Sequence, residues 1–302
     1  MKEIFKSGFV SLLGKTNSGK STLLNSLVGE KVAITTYKTQ TTRTAIKAII
    51  NRENSQIIIT DTPGIHKGKT KLSKTMINTA YTMIGEVDCV LFIIDGTEKN
   101  VSSENEQILN KIREVKKPTI LVINKIDLIP KEKILKLIET YKNEYDFESI
   151  IPISALKNDG VEIIVKEIEK ILPEGPKYYD EEEYTDQTMR DLAEEVIREK
   201  ALKLLNEEVP HGILVEIQKF ETKKTSKKEP FYNIEANIYC ERESHKGIII
   251  GKGGEMLKKI STFARKDLER MFDCKVNLRT WVKVREDWMN SSTIINQKFK
   301  LK

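Results

Sequence analysis

Near the N-terminus, Gly14-Lys15-Thr16-Asn17-Ser18-Gly19-Lys20-Ser21 has the spacing that wraps backbone N–H groups around a chain of phosphates. In such a loop the lysine reaches the outer phosphates and the next hydroxyl reaches a magnesium ion, which makes Lys20 and Ser21 candidates for those roles. A second polar set, Asp61-Thr62-Pro63-Gly64, follows the apolar run Ile57–Ile59. At a strand end Asp61 can hold magnesium through water while the Gly64 N–H meets the terminal phosphate. A third set, Asn124-Lys125-Ile126-Asp127, chooses the base. The Asp127 carboxylate can accept from the N1–H and the exocyclic amine of guanine, and adenine would leave that charge unpaired. Ser154-Ala155-Leu156 would bring backbone N–H groups near the guanine oxygen.

A different glycine loop, Ile250-Gly251-Lys252-Gly253-Gly254, lies near the C-terminus. Its glycines let the chain approach a sugar–phosphate backbone, and Lys252 adds charge. Lys258 stands close by, with Lys246, Lys259, Arg265 and Lys266. The run Ile248–Ile250 precedes the loop, and Met256, Leu257, Ile260, Phe263, Ala264 and Leu268 follow as an apolar helical stripe, read as core.

These residues need elements that deliver them to one place. Short β-branched runs at Phe9–Leu13, Ala45–Ile50, Gln56–Thr60, Asp88–Ile94, Thr119–Ile123 and Ile150–Ile153 alternate with longer amphipathic stretches. That alternation predicts an α/β sheet, mostly parallel and covered by helices. Its last helix, near Val161–Leu172, stops at Pro173-Glu174-Gly175-Pro176, and the acidic stretch Tyr178–Asp186 follows. The spacing predicts a first domain over 1–172, a linker over 173–186 and a second domain over 187–302. From Asp186, read as an N-cap, a helix carries Met189, Leu192, Ala193, Val196 and Ile197 on one face. Strands near Ile213–Glu221, Phe231–Cys240 and Val276–Val284, with a helix pair around Gly251–Gly254, complete an α+β unit. Lys223–Glu229 reads as a hairpin tip, and Asn290–Lys302 carries no clear signal.

Composition narrows the class. With 302 residues, 39% hydrophobic and 32% charged, the chain can bury two cores and is not of a disordered type. Cys89, Cys240 and Cys274 are far apart, as are His66, His211 and His245, so neither a disulfide framework nor a metal cluster is expected. The apolar runs fall short of the roughly 20 residues that cross a bilayer, and Met1–Val10 lacks a signal-peptide pattern, so a cytoplasmic location is expected. The 27 basic and 27 acidic residues up to Asp186 cancel, which places the whole net charge of +6 in the C-terminal part. That is where a polyanion would bind.

Taken in order, Gly14–Ser21, Gln40-Thr41-Thr42-Arg43, Asp61–Gly64, Asn124–Asp127 and Ser154-Ala155 resemble the five signature motifs of the translation-factor-related GTPases. Continued through Glu208-Val209-Pro210-His211 and Ile249–Gly254, the chain resembles the Era family, GTPases with a C-terminal KH domain, over essentially its full length. The resemblance implies an α/β P-loop GTPase domain, with a mostly parallel sheet and helices on both faces, followed by an α+β type II KH domain. It implies hydrolysis of GTP to GDP and phosphate, with Mg2+ held by Ser21, Thr42 and, through water, Asp61. Thr42 would be the switch threonine, and Lys20 would neutralise phosphate charge. Ile65 stands where Ras-like enzymes place a water-orienting glutamine, so slow intrinsic hydrolysis is expected. Asn17 matches a position that binds potassium in related GTPases, and K+ there would supply further positive charge.

A KH domain holds about four nucleotides of single strand, here through Ile250–Gly254 and Lys258. The implied partners are the 3′ region of 16S rRNA and the 30S ribosomal subunit, whose maturation the family assists, with the chain itself a monomer. Family members are also associated with the inner face of the cell membrane, although no amphipathic lipid-binding helix stands out here. Lys15-Thr16-Asn17-Ser18 departs from the usual Arg-Pro-Asn-Val and removes no catalytic group. Two other classes stay open: an RNA scaffold that nucleotide merely stabilises, and a signalling GTPase held at a membrane surface by charge.

Overall fold

The computed structural model describes residues 4–299 apart from 37, 39–41, 44–45, 63, 65–69, 99–100 and 227. The described residues form two compact units, one within 1–33 and 42–186, the other within 34–41 and 187–300.

The first unit is built on six strands: β1 (Lys6–Leu13), β2 (Ile46–Asn51), β3 (Ser55–Asp61), β4 (Cys89–Asp95), β5 (Thr119–Asn124) and β6 (Ser149–Pro152). They lie in the order β2-β3-β1-β4-β5-β6, with β2 antiparallel to β3 and every other pair parallel. Helices α1 (Lys20–Val28), α2 (Lys71–Ile84), α3 (Ser103–Val115), α4 (Lys131–Lys142) and α5 (Val161–Ile171) cover both faces. On one face Val10, Leu12 and Leu91 pack with Leu23, Leu24 and Leu27 of α1 and with Ile164 and Ile168 of α5. On the other, Phe92, Leu121 and Ile123 pack with Ile108 and Ile112 of α3 and with Leu137 and Tyr141 of α4. Strands so thoroughly buried on two faces need continuous apolar runs, which is why Cys89–Ile94 and Thr119–Ile123 show no alternation. Because the five parallel strands share a direction, the loops after Leu13, Asp61, Asp95, Asn124 and Pro152 gather at one end of the sheet, where α/β folds bind ligands.

Residues 173–186 run along this same sheet. The Ser7 N–H donates to the Pro173 carbonyl at 3.1 Å and the Ile49 N–H to the Tyr184 carbonyl at 3.0 Å. Fully buried Gln56 accepts from the N–H groups of Tyr178 and Tyr179 at 2.7 and 3.0 Å. A buried amide of this kind must be satisfied, and the segment satisfies it.

The second unit has a three-stranded sheet of β7 (Leu214–Lys224), β8 (Pro230–Cys240) and β9 (Lys275–Val284), with β7 antiparallel and β9 parallel to β8. Helices α6 (Met189–Leu204), α7 (Glu243–Ile250) and α8 (Glu255–Met271) enclose a core of Val196, Ile197, Ala201, Ile234, Ala236, Ile238, Ile260, Ala264 and Leu268. The start of α6 differs from the expected Asp186 cap. Thr188 takes that place in a capping box with Asp191, whose carboxylate can reach back to the cap, whereas Asp186 faces Lys47 of the first sheet. The tail also forms structure. Helix α9 (Ser292–Phe299) stacks Phe299 on fully buried Trp288, whose indole N–H donates to the Gly212 carbonyl at 2.9 Å. No helix among the described residues is long and apolar enough to cross a membrane.

Candidate functional site

In the first unit the loop after β1 is a tight cradle. Asn17 and Gly19 take left-handed conformations, with φ of 65° and 99°. A Cβ on Gly14 would fall 2.4 Å from the Ile93 carbonyl oxygen, and one on Gly19 would fall 2.1 Å from the Asn124 side-chain nitrogen. Both glycines are therefore fixed by crowding. Helix α1 starts at Lys20 without a side-chain cap, so its first N–H groups face the loop. The Lys20 ammonium is buried and donates to the carbonyls of Gly14 and Lys15, both at 2.9 Å. Burial pulls its pKa down to about 8, against the opposing effect of the Asp61 carboxylate. Ser18 Oγ closes the turn on the Lys15 carbonyl at 3.0 Å. Thr16 and Lys20 lie so near Gly64 that a Cβ there would meet Thr16 Cγ2 at 2.9 Å and Lys20 Nζ at 3.1 Å.

Three oxygen donors meet beside the cradle. Ser21 Oγ lies 3.0 Å from Thr42 Oγ1 and 3.0 Å from Asp61 Oδ2, and Thr42 Oγ1 lies 3.1 Å from the same carboxylate oxygen. Neighbouring ligands on an octahedron with bonds of about 2.1 Å are about 3 Å apart, so the Ser21 and Thr42 hydroxyls suit a hard cation of magnesium size, with the Asp61 carboxylate behind them. Asp61 is fully buried, and its Oδ1 has no hydrogen-bond partner among the described residues. Burial pushes the Asp61 pKa up, opposed by the Lys20 charge and by the hydrogen bonds from Ser21 and Thr42. A buried carboxylate in this position fits a water-bridged cation. Thr62 anchors the segment through Oγ1 to the Leu12 carbonyl at 2.8 Å. Pro63 and Ile65, with Gln40 and Thr41, lie outside the described residues.

The residues expected to read the base share the same end of the sheet. Asn124 is a strap: its amide donates to the Ser18 carbonyl at 2.9 Å, and its Oδ1 accepts from the Ala155 N–H at 3.0 Å. Asp127 accepts from Ser154 Oγ at 2.7 Å through Oδ1. Ile126 ties its N–H to the Ile153 carbonyl at 3.2 Å, and Leu156 stands 81% exposed at the rim. Lys125, itself left-handed with φ of 66°, donates to the Asn17 carbonyl at 2.8 Å.

Two acidic residues absent from the sequence reading complete the arrangement. Asp95 Oδ2 holds Lys125 at 2.6 Å, while Oδ1 accepts from the Thr97 N–H and hydroxyl at 2.9 and 2.7 Å. Burial works against its charge, yet Lys125 and Thr97 hold the carboxyl below the usual range. Glu98 pairs with Lys15 at 2.5 Å. One signal was available: Asp95 ends a buried strand at the same edge as Asp61 and Asn124.

In the second unit, α7 and α8 flank a glycine loop of another kind. Gly251, Gly253 and Gly254 have φ of 72°, 59° and 82°. Of the three only Gly251 is crowded, with a Cβ there 2.7 Å from Met256 Cβ; a Cβ on Gly253 or Gly254 would meet nothing within 4 Å. Lys252 and Lys258 are exposed and Ile250 is half-buried. The apolar stripe of α8 divides in two. Ile260, Ala264 and Leu268 are core as expected, but Phe263, also read as core, is 41% exposed, because it lies on the solvent side of the helix.

Residues 9–125 match the family described as 50S ribosome-binding GTPase, and residues 208–289 match the KH domain family. The chain is 48% identical over 291 residues to GTPase Era of Ruminiclostridium cellulolyticum, covering 96% of each. It is 48% identical over 294 residues to GTPase Era of Clostridium novyi, covering 97% of this chain and 98% of that one. Among solved structures it resembles Era in complex with MgGDPNP and nucleotides 1506–1542 of 16S ribosomal RNA, with a TM-score of 0.92, 41% identity and 98% coverage of both chains. A point variant of Aquifex aeolicus Era bound to GDP.AlF4- gives a TM-score of 0.91 at 40% identity, covering 98% of this chain and 99% of that one. With both domains matched in order over nearly the whole length, the chain belongs to the Era family of GTPases and hydrolyses GTP.

Proposed function

We propose that this GTPase is a switch that binds the 3′ region of 16S rRNA through its KH domain and assists maturation of the 30S subunit. The observation that carries the reading is the full-length likeness to an Era solved with MgGDPNP and nucleotides 1506–1542 of that RNA. The exposed, left-handed glycine loop of the second unit supports it, because a nucleic-acid backbone can approach Gly253 and Gly254 unhindered.

At the nucleotide, Gly14–Ser21 would cradle the phosphates and Lys20 would leave its loop carbonyls for the β- and γ-phosphate oxygens. Ser21, Thr42 and, through water, Asp61 would hold Mg2+, which when bound neutralises phosphate charge. Thr62, Pro63, Gly64 and Ile65 would lie along the terminal phosphate, and Ile65 cannot orient water, which leaves intrinsic hydrolysis slow. Asp127 would accept from guanine while Asn124, Lys125 and Ala155 fix the loops around it. Asn17 would help to bind K+ beside the phosphates; equal turnover in potassium and sodium would rule this out.

Binding of RNA 1506–1542 to the full chain tests the reading. Lys252→Glu should weaken it at least tenfold and leave GDP affinity unchanged, and equal RNA affinity in that variant would refute the assignment. Peripheral membrane contact would rest on the basic excess of the second unit, and vesicle co-sedimentation at low and moderate salt tests it.

A further inference from the structure

The reverse side of the second sheet carries a row of residues that the glycine loop does not use. Alternate residues of β9 leave on opposite sides. Val276, Leu278, Thr280, Val282 and Val284 occupy one side, where Thr280 Oγ1 meets Ser261 Oγ of α8 at 2.7 Å. Lys275, Asn277, Arg279, Trp281 and Lys283 leave on the other, all exposed and with no acid in the row. On that same side β8 sets Glu235 opposite Arg279 without an ion pair, and strand β7 presents Glu216, Lys219, Glu221 and Lys223, where the charges pair, Lys219 with Glu221 at 3.1 Å and Lys223 with Glu221 at 3.8 Å. Among the described residues no ion pair engages Lys275, Arg279 or Lys283.

The two tryptophans of the chain differ in the same way. Trp288 is fully buried with its indole N–H bonded, whereas Trp281 is 44% exposed and has no ring or hydrogen-bond partner among the described residues. An isolated exposed aromatic is ordinary. Trp281 is instead flanked along its row by two unpaired cations, each two residues and so about 7 Å away. An aromatic face between free cations is how single strands are held without sequence preference, by stacking on bases and pairing with phosphates.

Position strengthens the assignment. Strand β9 is the edge of its sheet and packs against α7 and α8, the two helices that flank the glycine loop. One KH loop clamps about four nucleotides, and the RNA in the related Era complex, nucleotides 1506–1542, is far longer. Surplus strand leaving the loop needs a second surface of opposite charge. We propose that the outward row of β9 is a second single-stranded RNA contact, in which Trp281 stacks on an unpaired base while Arg279 and Lys283 hold the flanking phosphates. The proposal rests on the RNA binding assigned to the glycine loop.

The test uses the full chain with RNA 1506–1542 and with pieces of about six nucleotides tiled across it. Trp281→Ala should weaken the long RNA by about 5- to 150-fold, Trp281→Phe should recover most of that loss, and the best short piece should bind all three proteins alike. Arg279→Gln should lower the salt slope for the long RNA by about 0.7. Because Trp288 is enclosed, RNA-dependent quenching of tryptophan emission should report Trp281 and vanish in Trp281→Phe. Unchanged binding of the short piece, which uses the glycine loop of the same unit, would establish that the second unit of the variants is folded. Equal affinity of Trp281→Ala and the unsubstituted chain for the long RNA, or emission indifferent to it, would overturn the proposal and leave the row as solvated surface or a protein-docking face. If neither long nor short RNA binds the unsubstituted chain, the RNA reading of the glycine loop fails first and this proposal with it.

Discussion

The two glycine loops differ in what surrounds them. In the first, Gly14 and Gly19 are closed in by Ile93 and Asn124, residues from strands β4 and β5. In the second, Gly253 and Gly254 face open space. The first is a rigid cradle whose shape is set by the protein itself, as a small and highly charged ligand requires. The second is held at Gly251 against Met256 but leaves Gly253 and Gly254 open, which is what the entry of a polymer backbone proposed for this loop would require. Glycine thus answers two demands, internal crowding in one case and external approach in the other.

Exchanging glycine for alanine in each loop breaks this comparison most sharply. Gly19→Ala combines a φ of 99° with a Cβ 2.1 Å from the Asn124 amide nitrogen, which must give up its bond to the Ser18 carbonyl, and should cost about 2–4 kcal/mol and weaken nucleotide binding. Gly253→Ala meets no atom and should cost only about 1–2 kcal/mol for its left-handed backbone. Thermal melts with and without GDP distinguish the two, and equal losses would show that crowding is not what separates the loops.

Next in size is Asp127→Asn, which turns the acceptor proposed for guanine into an amide. GTP affinity should fall by about 100-fold or more while xanthosine triphosphate gains, and competition binding with both nucleotides measures the change. Asp95→Asn should act more gently. It removes the charge facing a partly exposed Lys125, worth about 1 kcal/mol after screening, so GDP affinity should drop about fivefold. An isothermal titration giving the wild-type value would show that Lys125 needs no such support.

The smallest effect belongs to the second unit. Glu194 accepts the Ile217 N–H at 2.8 Å and pairs with Lys298, yet burial raises its pKa above the ordinary carboxylate value. The folded chain then holds the Glu194 proton more tightly than the unfolded chain does. Its contribution to stability is full below the unfolded pKa near 4.5 and is lost as pH rises through the higher folded value. Melting curves across that range should flatten in Glu194→Gln, and an identical pH profile would contradict the assigned direction.

Most of the scaffold was legible because strand and helix periods are local. Buried runs such as Ile57–Ile59 and Thr119–Ile123 announced strands, and each polar motif followed one directly. What stayed hidden depends on where separate loops meet. Nothing in the sequence tells that Glu98 pairs with Lys15, that Asp95 grips Lys125, or that Asn124 joins Ser18 to Ala155. The cap of α6 shows a local competition: both Asp186 and Thr188 are good caps, and the reciprocal bonds with Asp191 favour Thr188. Phe263 shows the limit of a helical stripe, since a half-wide apolar face can leave its edge residue in solvent.

The central claim is that the two loops act together, GTP in one and RNA at the other. It is tested most directly by the rate of GTP turnover at saturating GTP and magnesium, with and without RNA 1506–1542. Coupling predicts a clear rise in kcat when the RNA is bound, and loss of that rise in Lys252→Glu. A turnover rate that stays the same while the RNA is demonstrably bound would contradict the account.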